Sequence, residues 1–221
     1  MKTSEAVARR QSIRAFLPTP VDRAVLERVL DRARFAPSGG NVQPWEAVVV
    51  QGEPLQELFR EVARRQAEGN IPQEHASYPD NLADPWMDRR RRCGKALYDA
   101  VGLERGDKAG RHAQAQRNFV AFDAPCLMIN HMPRFMRPSQ WADMGIWLQT
   151  VMLLLQEEGL DTCAQGAWAY VGSVVREVLQ IPEEHVIYCG LAIGHADPNA
   201  PVNHFRTERA EVHETVRFVG M

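Results

Sequence analysis

One short segment of the chain combines turn-forming residues with hydrogen-bonding side chains: Ala36-Pro37-Ser38-Gly39-Gly40-Asn41-Val42-Gln43-Pro44-Trp45. It follows a segment with amphipathic helical periodicity and precedes an apolar strand, so the pattern predicts a connecting loop. Its glycines let a ligand approach the backbone closely, and Ser38, Asn41 and Gln43 supply donors and acceptors beside the ring of Trp45. Taken alone, this composition suits a ligand-binding loop and a plain helix-to-strand turn equally well.

A second segment, near the start of the chain, favours the binding loop: Arg9-Arg10-Gln11-Ser12-Ile13-Arg14-Ala15-Phe16. Together the two segments resemble the FMN-dependent nitroreductase family, whose members begin with Arg-x-Ser-x-Arg/Lys and carry a Pro-Ser-x-x-Asn-x-Gln-Pro-Trp loop at about this distance. The resemblance continues at Gly-Leu-x-x-Cys (159–163), Ile181-Pro182, a strand that ends at Gly194, and Thr207-Glu208-Arg209. It covers nearly the whole chain and is weakest over residues 70–113.

Composition bounds the class of protein. The chain has 221 residues, of which 45% are hydrophobic and 24% charged, and its formal net charge is −2. No linker or repeat divides it, so we expect one domain over residues 1–221, and the charge gives no reason to expect nucleic-acid or membrane binding. The widely spaced cysteines, without a Cys-x-x-Cys pair, favour reduced thiols in a cytoplasmic protein. The sequence shows no targeting segment and no apolar run that could span a bilayer.

Hydrophobic periodicity predicts most of the regular elements. Helices are expected over 4–10, from the cap Asp22 to about 35, from Pro54 onward, over 114–122, from the cap Ser139 to 158, and over 173–180. Strands are expected over 46–51, 125–131, 162–165 and 185–193. The helix 139–158 is apolar on nearly every side, which predicts burial all round and a second subunit. Residues 70–113, with four arginines at 89–92, are predicted to form a lid or partner-covering excursion, and 195–221 an extended arm.

The resemblance implies an α+β fold: a mixed, mostly antiparallel sheet flanked by helices, in an intertwined homodimer with two FMN sites at its interface. It assigns Arg10, Ser12 and Arg209 to the phosphate and ribityl end of FMN, and Arg14 to the pyrimidine edge of the flavin ring. Guanidinium groups suit this task because they bind phosphate bidentately. The remaining cofactor residues that it implies are Gln11, Pro37, Ser38, Gly39 and Asn41, together with the backbone near Gln165 and Gly166, which faces flavin N5.

The implied activity is reduction of a nitroaromatic compound, or of a similar acceptor such as a quinone, by NADH or NADPH. Hydride passes through flavin N5 in a ping-pong scheme, and no side chain acts as acid or base. Residues 103–108, 117–119 and 140–141 resemble the branch of nitrobenzoate and nitroaromatic reductases. Trp86, Arg92 and Tyr98, in the cover, are the predicted substrate contacts.

Several alternatives stay open at this stage. They are a same-fold reductive dehalogenase similar to iodotyrosine deiodinase, a flavin-fragmenting enzyme, and a flavin-binding sensor or storage protein without turnover. The histidines form no His-x-His or His-x-x-x-His pair, so no metal site is predicted. The sequence also has no Gly-x-Gly-x-x-Gly or P-loop motif, so no dedicated nucleotide-binding domain is expected.

Overall fold

The computed structural model describes residues 1–69 and 71–221. In this part of the chain a four-stranded sheet forms the centre, with strands β1 (Glu46–Gln51), β2 (Cys126–Pro133), β3 (Asp161–Gln165) and β4 (His185–Gly194). Their order is β1-β2-β4-β3, and all neighbouring strands are antiparallel. An isolated parallel bridge between Ser12 and Thr162 places the N-terminal segment beside β3. The mostly antiparallel sheet expected from the sequence is confirmed.

Helices cover both faces of the sheet, because its strands carry apolar side chains on both sides. The helices are α1 (Thr3–Arg9), α2 (Arg23–Ala33), α3 (Gly52–Glu68), α4 (Trp86–Ala100), α5 (Lys108–Gln116), α6 (Pro138–Glu157), α7 (Gly172–Leu179) and α8 (Val212–Thr215). Leu127 and Ile129 of β2 pack toward α3 and α7, whereas Cys126 and Met128 pack toward α2 and α6. The predicted α+β class is therefore confirmed as helices on either side of an antiparallel sheet.

Helix starts agree with the sequence where a side chain caps the helix. The Asp22 carboxylate accepts a hydrogen bond from the Ala24 N–H at 2.9 Å, as predicted. Two other starts differ. α3 begins at Gly52, so Pro54 is its third residue, and α6 begins at Pro138, so Ser139 lies inside the helix and is not its cap. Proline fits the first position of α6 because its fixed φ suits the helix and that position has no intrahelical N–H bond.

The segment 70–113 contains regular structure that periodicity did not predict. It holds α4 and the first part of α5, and neither helix has a buried residue in the single chain. Without a stripe of core-facing residues, such helices leave little periodic signal in the sequence. Asn70, the first residue of the predicted excursion, lies outside the described residues.

The helix predicted over 114–122 is found only over its first three residues. α5 ends at Gln116 and continues as a 3-10 segment, Arg117–Asp123. Within that segment Ala121, Phe122 and Asp123 have positive φ values of 48°, 55° and 68°. A right-handed helix cannot continue through three residues in the left-handed region.

Helix α6 is buried on one side only in the single chain. Met144, Trp147 and Val151 are buried against α2 and the sheet, whereas Ile146 is 43% exposed. The predicted burial all round is thus not met within one chain, because α2 and the sheet contact one side of the helix. The C-terminal arm likewise leaves Phe218 65% exposed. Among the described helices, none has the length and hydropathy needed to cross a bilayer.

Candidate active site

The structure brings five predicted cofactor residues into one cavity. The cavity has a volume of about 330 Å³ and lies between the end of α1, the segment that follows it, and the C-terminal arm. Its lining includes Arg10, Gln11, Ser12, Arg14 and Arg209. Arg206 and Thr207 also line it, and the sequence had not indicated Arg206. We call this cavity the arginine pocket.

A buried asparagine holds the two ends of the chain together at this pocket. The Asn203 side-chain amide donates to the Ala15 carbonyl at 2.8 Å, and its Oδ1 accepts from the Arg14 N–H at 2.8 Å. The Gln11 side chain donates to the Asn203 carbonyl at 2.9 Å. Gln11 therefore contacts the arm while it also lines the pocket. Asn203 was not predicted from the sequence, because its partners Arg14 and Ala15 lie almost 190 residues away in the chain.

The arginine pocket has no acidic counterpart. Within residues 1–69 and 71–221, none of Arg10, Arg14, Arg206 and Arg209 forms a salt bridge; the last three donate to backbone carbonyls at 3.0–3.2 Å. Burial lowers the pKa of Arg10, and the nearby charges of Arg209 and Arg206 lower it further. Cations gathered without carboxylates suit an anion such as phosphate, because no intramolecular carboxylate competes for them.

The thiol beneath this pocket is not a nucleophile. Cys163 of β3 is buried, and its burial raises its pKa to about 11 despite the opposing effects of Arg14, a hydrogen bond from Ser12, and Arg10. At neutral pH the side chain is the uncharged thiol, whereas a nucleophilic cysteine is a thiolate.

The predicted binding loop, residues 36–45, is shaped by hydrogen bonds within it and to α6. Gly40, Asn41 and Gln43 have φ values of 57°, 56° and 49°, and Ser38 Oγ accepts from the Gln43 N–H at 2.9 Å. The Gly39 N–H donates to the buried Asp143 carboxylate of α6 at 3.2 Å. Pro37, Gly39 and Asn41 remain exposed, so the loop is preformed and open.

Two further features of this loop bear on the predicted site. The ring of Trp45 stacks on Trp147 with centroids 5.9 Å apart, so one face of its ring anchors the loop to α6. In addition, no residue of the loop lines the arginine pocket in the described chain. One chain therefore does not assemble all of the predicted cofactor residues.

The end of β3 presents backbone to the surface. The Gln165 side chain is buried, donating to the Asn118 carbonyl at 2.9 Å and accepting from Trp168 Nε1 at 3.2 Å. Gly166 is exposed and begins a 3-10 helix, Gly166–Val171, so its N–H has no partner inside that helix. This arrangement suits the predicted role of a backbone amide and shows that the Gln165 side chain is structural.

The predicted substrate residues of α4 have different surroundings. Arg92 lies between the carboxylates of Asp88, at 3.1 Å, and Glu208, at 3.0 Å. Tyr98 lies under the guanidinium of Arg111, and both Arg92 and Tyr98 line a cavity of about 550 Å³. Trp86 is 60% exposed at the start of α4 and is not part of that lining.

Comparison with known proteins agrees with this geometry. A family model described as "Nitroreductase family" matches residues 7–195. The chain belongs to the nitroreductase family. A 4-nitrobenzoate reductase of Pseudomonas putida is 36% identical over 216 residues, which cover 97% of this chain and 94% of that protein.

Solved nitroreductases have the same fold as this one. The crystal structure of the FMN and NADPH-dependent nitroreductase NfnB from Sphigopyxis sp. strain HMH superposes with a TM-score of 0.98 at 48% identity, and the match covers all of both chains. The FMN-dependent NfnB of Mycobacterium smegmatis, solved in complex with NADPH, gives a TM-score of 0.93 at 28% identity and covers 99% of this chain and 100% of that one.

This nitroreductase also contains a histidine pair that sequence spacing did not reveal. His131 of β2 and His185 of β4 are buried, and their Nδ1 atoms are 2.9 Å apart. Glu46 of β1 lies 4.0 Å from His185 Nε2. The residues are far apart in sequence, so a search for short His-x-x-x-His spacings could not find them. The contact requires one nitrogen to donate and the other to accept, and two protonated rings could not make it.

We expect His131, through its burial and its contact with His185, to make the stability of the fold depend on pH. Burial lowers the pKa of His131, as does the nearby His185, and Glu46 opposes them. A lowered histidine pKa means that the unfolded chain binds more protons, so the contribution is complete above the unfolded pKa of about 6.5 and decreases below it. Urea unfolding from pH 8 to pH 5 should show a steeper loss for wild type than for His185→Gln. Parallel pH profiles would contradict the role of the pair.

Proposed function

We propose that the chain is an FMN-dependent nitroreductase that uses NADH or NADPH to reduce nitroaromatic compounds, or similar electron-poor acceptors such as quinones. The arginine pocket carries this proposal, because it gathers unpaired guanidinium groups at the residues that match the family motif. The relatives support it: one is named for 4-nitrobenzoate and another for FMN and NADPH.

The pocket fits the phosphate of FMN, which carries nearly two negative charges at neutral pH. We propose that Arg10 and Arg209 bind this phosphate, with Ser12 near the ribityl chain. Arg14 is held by Asn203 farther along the segment, and we propose that it faces the pyrimidine edge of the flavin. When bound, FMN supplies hydride transfer from the nicotinamide through its N5 to the acceptor. At the pyrimidine edge, the fixed charge of Arg14 would stabilise the negative charge that the ring gains on reduction.

We further propose a homodimer in which the partner supplies the second half of each site. The loop residues Pro37, Ser38, Gly39 and Asn41 do not line the arginine pocket of their own chain, so a second copy is needed to bring them to the same FMN. The exposed apolar side of α6 and the apolar arm offer surface for this contact. Sedimentation of the FMN-loaded protein should show a dimer at nanomolar concentration, and an active monomer would refute this arrangement.

Turnover provides the direct test of the proposed function. The purified protein should be yellow, and acid should release FMN, not FAD, as identified by chromatography. NADH or NADPH should then be oxidised only when an acceptor such as 4-nitrobenzoate, nitrobenzene or benzoquinone is present under anaerobic conditions. Bound flavin without acceptor-dependent oxidation would indicate a sensor or storage protein. Activity confined to halophenols would indicate a dehalogenase.

The salt bridges of the α4 arginines bear on whether the enzyme prefers anionic or neutral acceptors. Trp86, Arg92 and Tyr98 are proposed acceptor contacts, and cations there would favour nitrobenzoates over neutral nitrobenzenes. However, Arg89 contacts Glu214, Arg91 contacts Asp84, and Arg92 contacts two carboxylates. These pairs reduce the attraction that α4 can offer to a benzoate.

We also propose a cytoplasmic location for the protein. Its four cysteines are all free, which suits a reducing compartment.

A further inference from the structure

Three side chains that can bind a metal ion meet at one end of the sheet. Glu46 is the first residue of β1, and it pairs directly with His131 of β2 in the antiparallel ladder. His131 pairs in turn with Ile187 of β4, and His185 lies two residues before Ile187. Directly opposite residues, and residues two apart on one strand, point to the same face of a sheet. The strand register therefore places Glu46, His131 and His185 on one face.

These side chains are close enough to share one ion. The two histidine Nδ1 atoms are 2.9 Å apart, and Glu46 Oε1 lies 4.0 Å from His185 Nε2. One ligand atom from each of the three residues lies within 4.8 Å of the other two. Zinc bonds of about 2.0–2.2 Å at tetrahedral angles hold ligand atoms about 3.3–3.6 Å apart. Binding therefore requires the rings to separate by about 0.4 Å and the exposed Glu46 side chain to rotate inward by about 1 Å.

The ligand atoms are not held by other side chains. In residues 1–69 and 71–221, the contact between the rings is the only side-chain hydrogen bond of either histidine, and the Glu46 carboxylate accepts none. Both histidines are buried, whereas the Glu46 side chain is 55% exposed. The strands thus fix the two imidazoles, and the carboxylate lies at the opening through which an ion can enter.

The chemistry of the donor atoms indicates the class of ion. Imidazole nitrogen is a good ligand for Zn²⁺, Cu²⁺, Ni²⁺ and Fe²⁺, whereas Mg²⁺ and Ca²⁺ prefer oxygen ligands. Two imidazoles and one carboxylate form an established zinc ligand set in which water takes the fourth position. Among the divalent ions, affinity for such a site is higher for Zn²⁺ than for Mn²⁺ or Fe²⁺. The site is therefore expected to select a transition metal over Mg²⁺.

We propose that Glu46, His131 and His185 bind one divalent transition-metal ion such as Zn²⁺, at a site separate from the arginine pocket. The ion takes the place of the hydrogen bond between the rings, and the displaced proton moves to the other nitrogen of its own ring, so both rings stay neutral. The ion then links β1, β2 and β4. It also fixes the end of the predicted binding loop, because Glu46 directly follows Trp45.

Titration calorimetry with ZnCl₂ tests this site on tag-free, FMN-loaded protein that has first been stripped with EDTA. Wild type should bind one ion per chain, and the bound ion should raise the urea midpoint of unfolding. Glu46→Gln and His185→Gln should each weaken binding at least ten-fold, since even residues that only orient a metal ligand contribute about 10–100-fold. Glu27→Gln and His213→Gln are the matched controls. They remove an exposed carboxylate on α2 and an exposed histidine on α8, and both should bind zinc as wild type does.

Cobalt substitution reports the coordination geometry. Co²⁺ in place of Zn²⁺ should give the visible absorption of a four-coordinate site in wild type and in both controls, and this absorption should be lost in Glu46→Gln and His185→Gln. If His185→Gln proves unfolded by circular dichroism, Glu46→Gln decides, because its side chain is exposed and its loss leaves the core intact. Zinc affinity that is equal in wild type and Glu46→Gln, or several weakly bound ions per chain, would indicate adventitious surface binding only and overturn the proposal.

Discussion

The double variant Arg10→Ala/Arg209→Ala is expected to purify without FMN and to bind added FMN about a thousand-fold more weakly than wild type. Both guanidinium groups line the arginine pocket and neither has a carboxylate partner in the described chain, so both are available to the phosphate. A hydrogen bond to a charged group contributes about 1.5–3 kcal/mol, and each 1.4 kcal/mol changes the dissociation constant ten-fold. Quenching of flavin fluorescence on titration with FMN measures the change.

Arg9→Ala provides the matched control for this double variant. Arg9 is the exposed last residue of α1 and does not line the pocket, so its loss removes a neighbouring charge without removing a proposed phosphate contact. Circular dichroism should show that the double variant keeps its fold. In the empty pocket the cations repel one another, so removing two of them does not destabilise the chain. If the double variant retained FMN through purification, the arginine pocket would not be the phosphate site.

Gly190→Ala should destabilise the fold by about 3 kcal/mol, although alanine normally suits a strand better than glycine does. Gly190 lies in β4, opposite Gln165 of β3, and a Cβ there would overlap Cδ1, Nε1 and Cγ of the Trp168 indole. Trp168 is fully buried and cannot move aside without opening a cavity. A displaced Trp168 should also move the backbone near Gly166, the proposed flavin contact. Trp168 donates a hydrogen bond to the Gln165 side chain and follows Gly166 by two residues.

Urea unfolding of Gly190→Ala and of Gly94→Ala gives the comparison. Gly94 lies inside α4, and a Cβ there would meet nothing within 4 Å, so alanine should raise helix stability by about 0.5–1 kcal/mol. Opposite signs for the two substitutions would show that lack of space at Gly190, and not the loss of a glycine, is responsible. Equal stability of Gly190→Ala and wild type would mean that Trp168 has room to shift.

Elements that bury an apolar face were predictable from the sequence. β1 was placed at its observed bounds, and α2 at its observed cap, because their periodic residues and Asp22 are local signals. α4 and all but the end of α5 were not predicted, since no residue of either is buried in the single chain. The helix predicted over 114–122 was too long because a left-handed backbone at Ala121, Phe122 and Asp123 is not encoded in hydrophobic spacing.

For the candidate site, the family motif in the sequence predicted that Arg10, Ser12, Arg14 and Arg209 lie in one pocket. Motifs work here because each one, at 10–14 and at 207–209, is a short run of neighbouring residues. Only the tertiary structure decided that Asn203 and Arg206 join them, that the Gln165 side chain turns inward, and that His131 meets His185. Those contacts depend on strand order and on how the arm packs against the N-terminal segment, and neither is encoded in spacing along the chain.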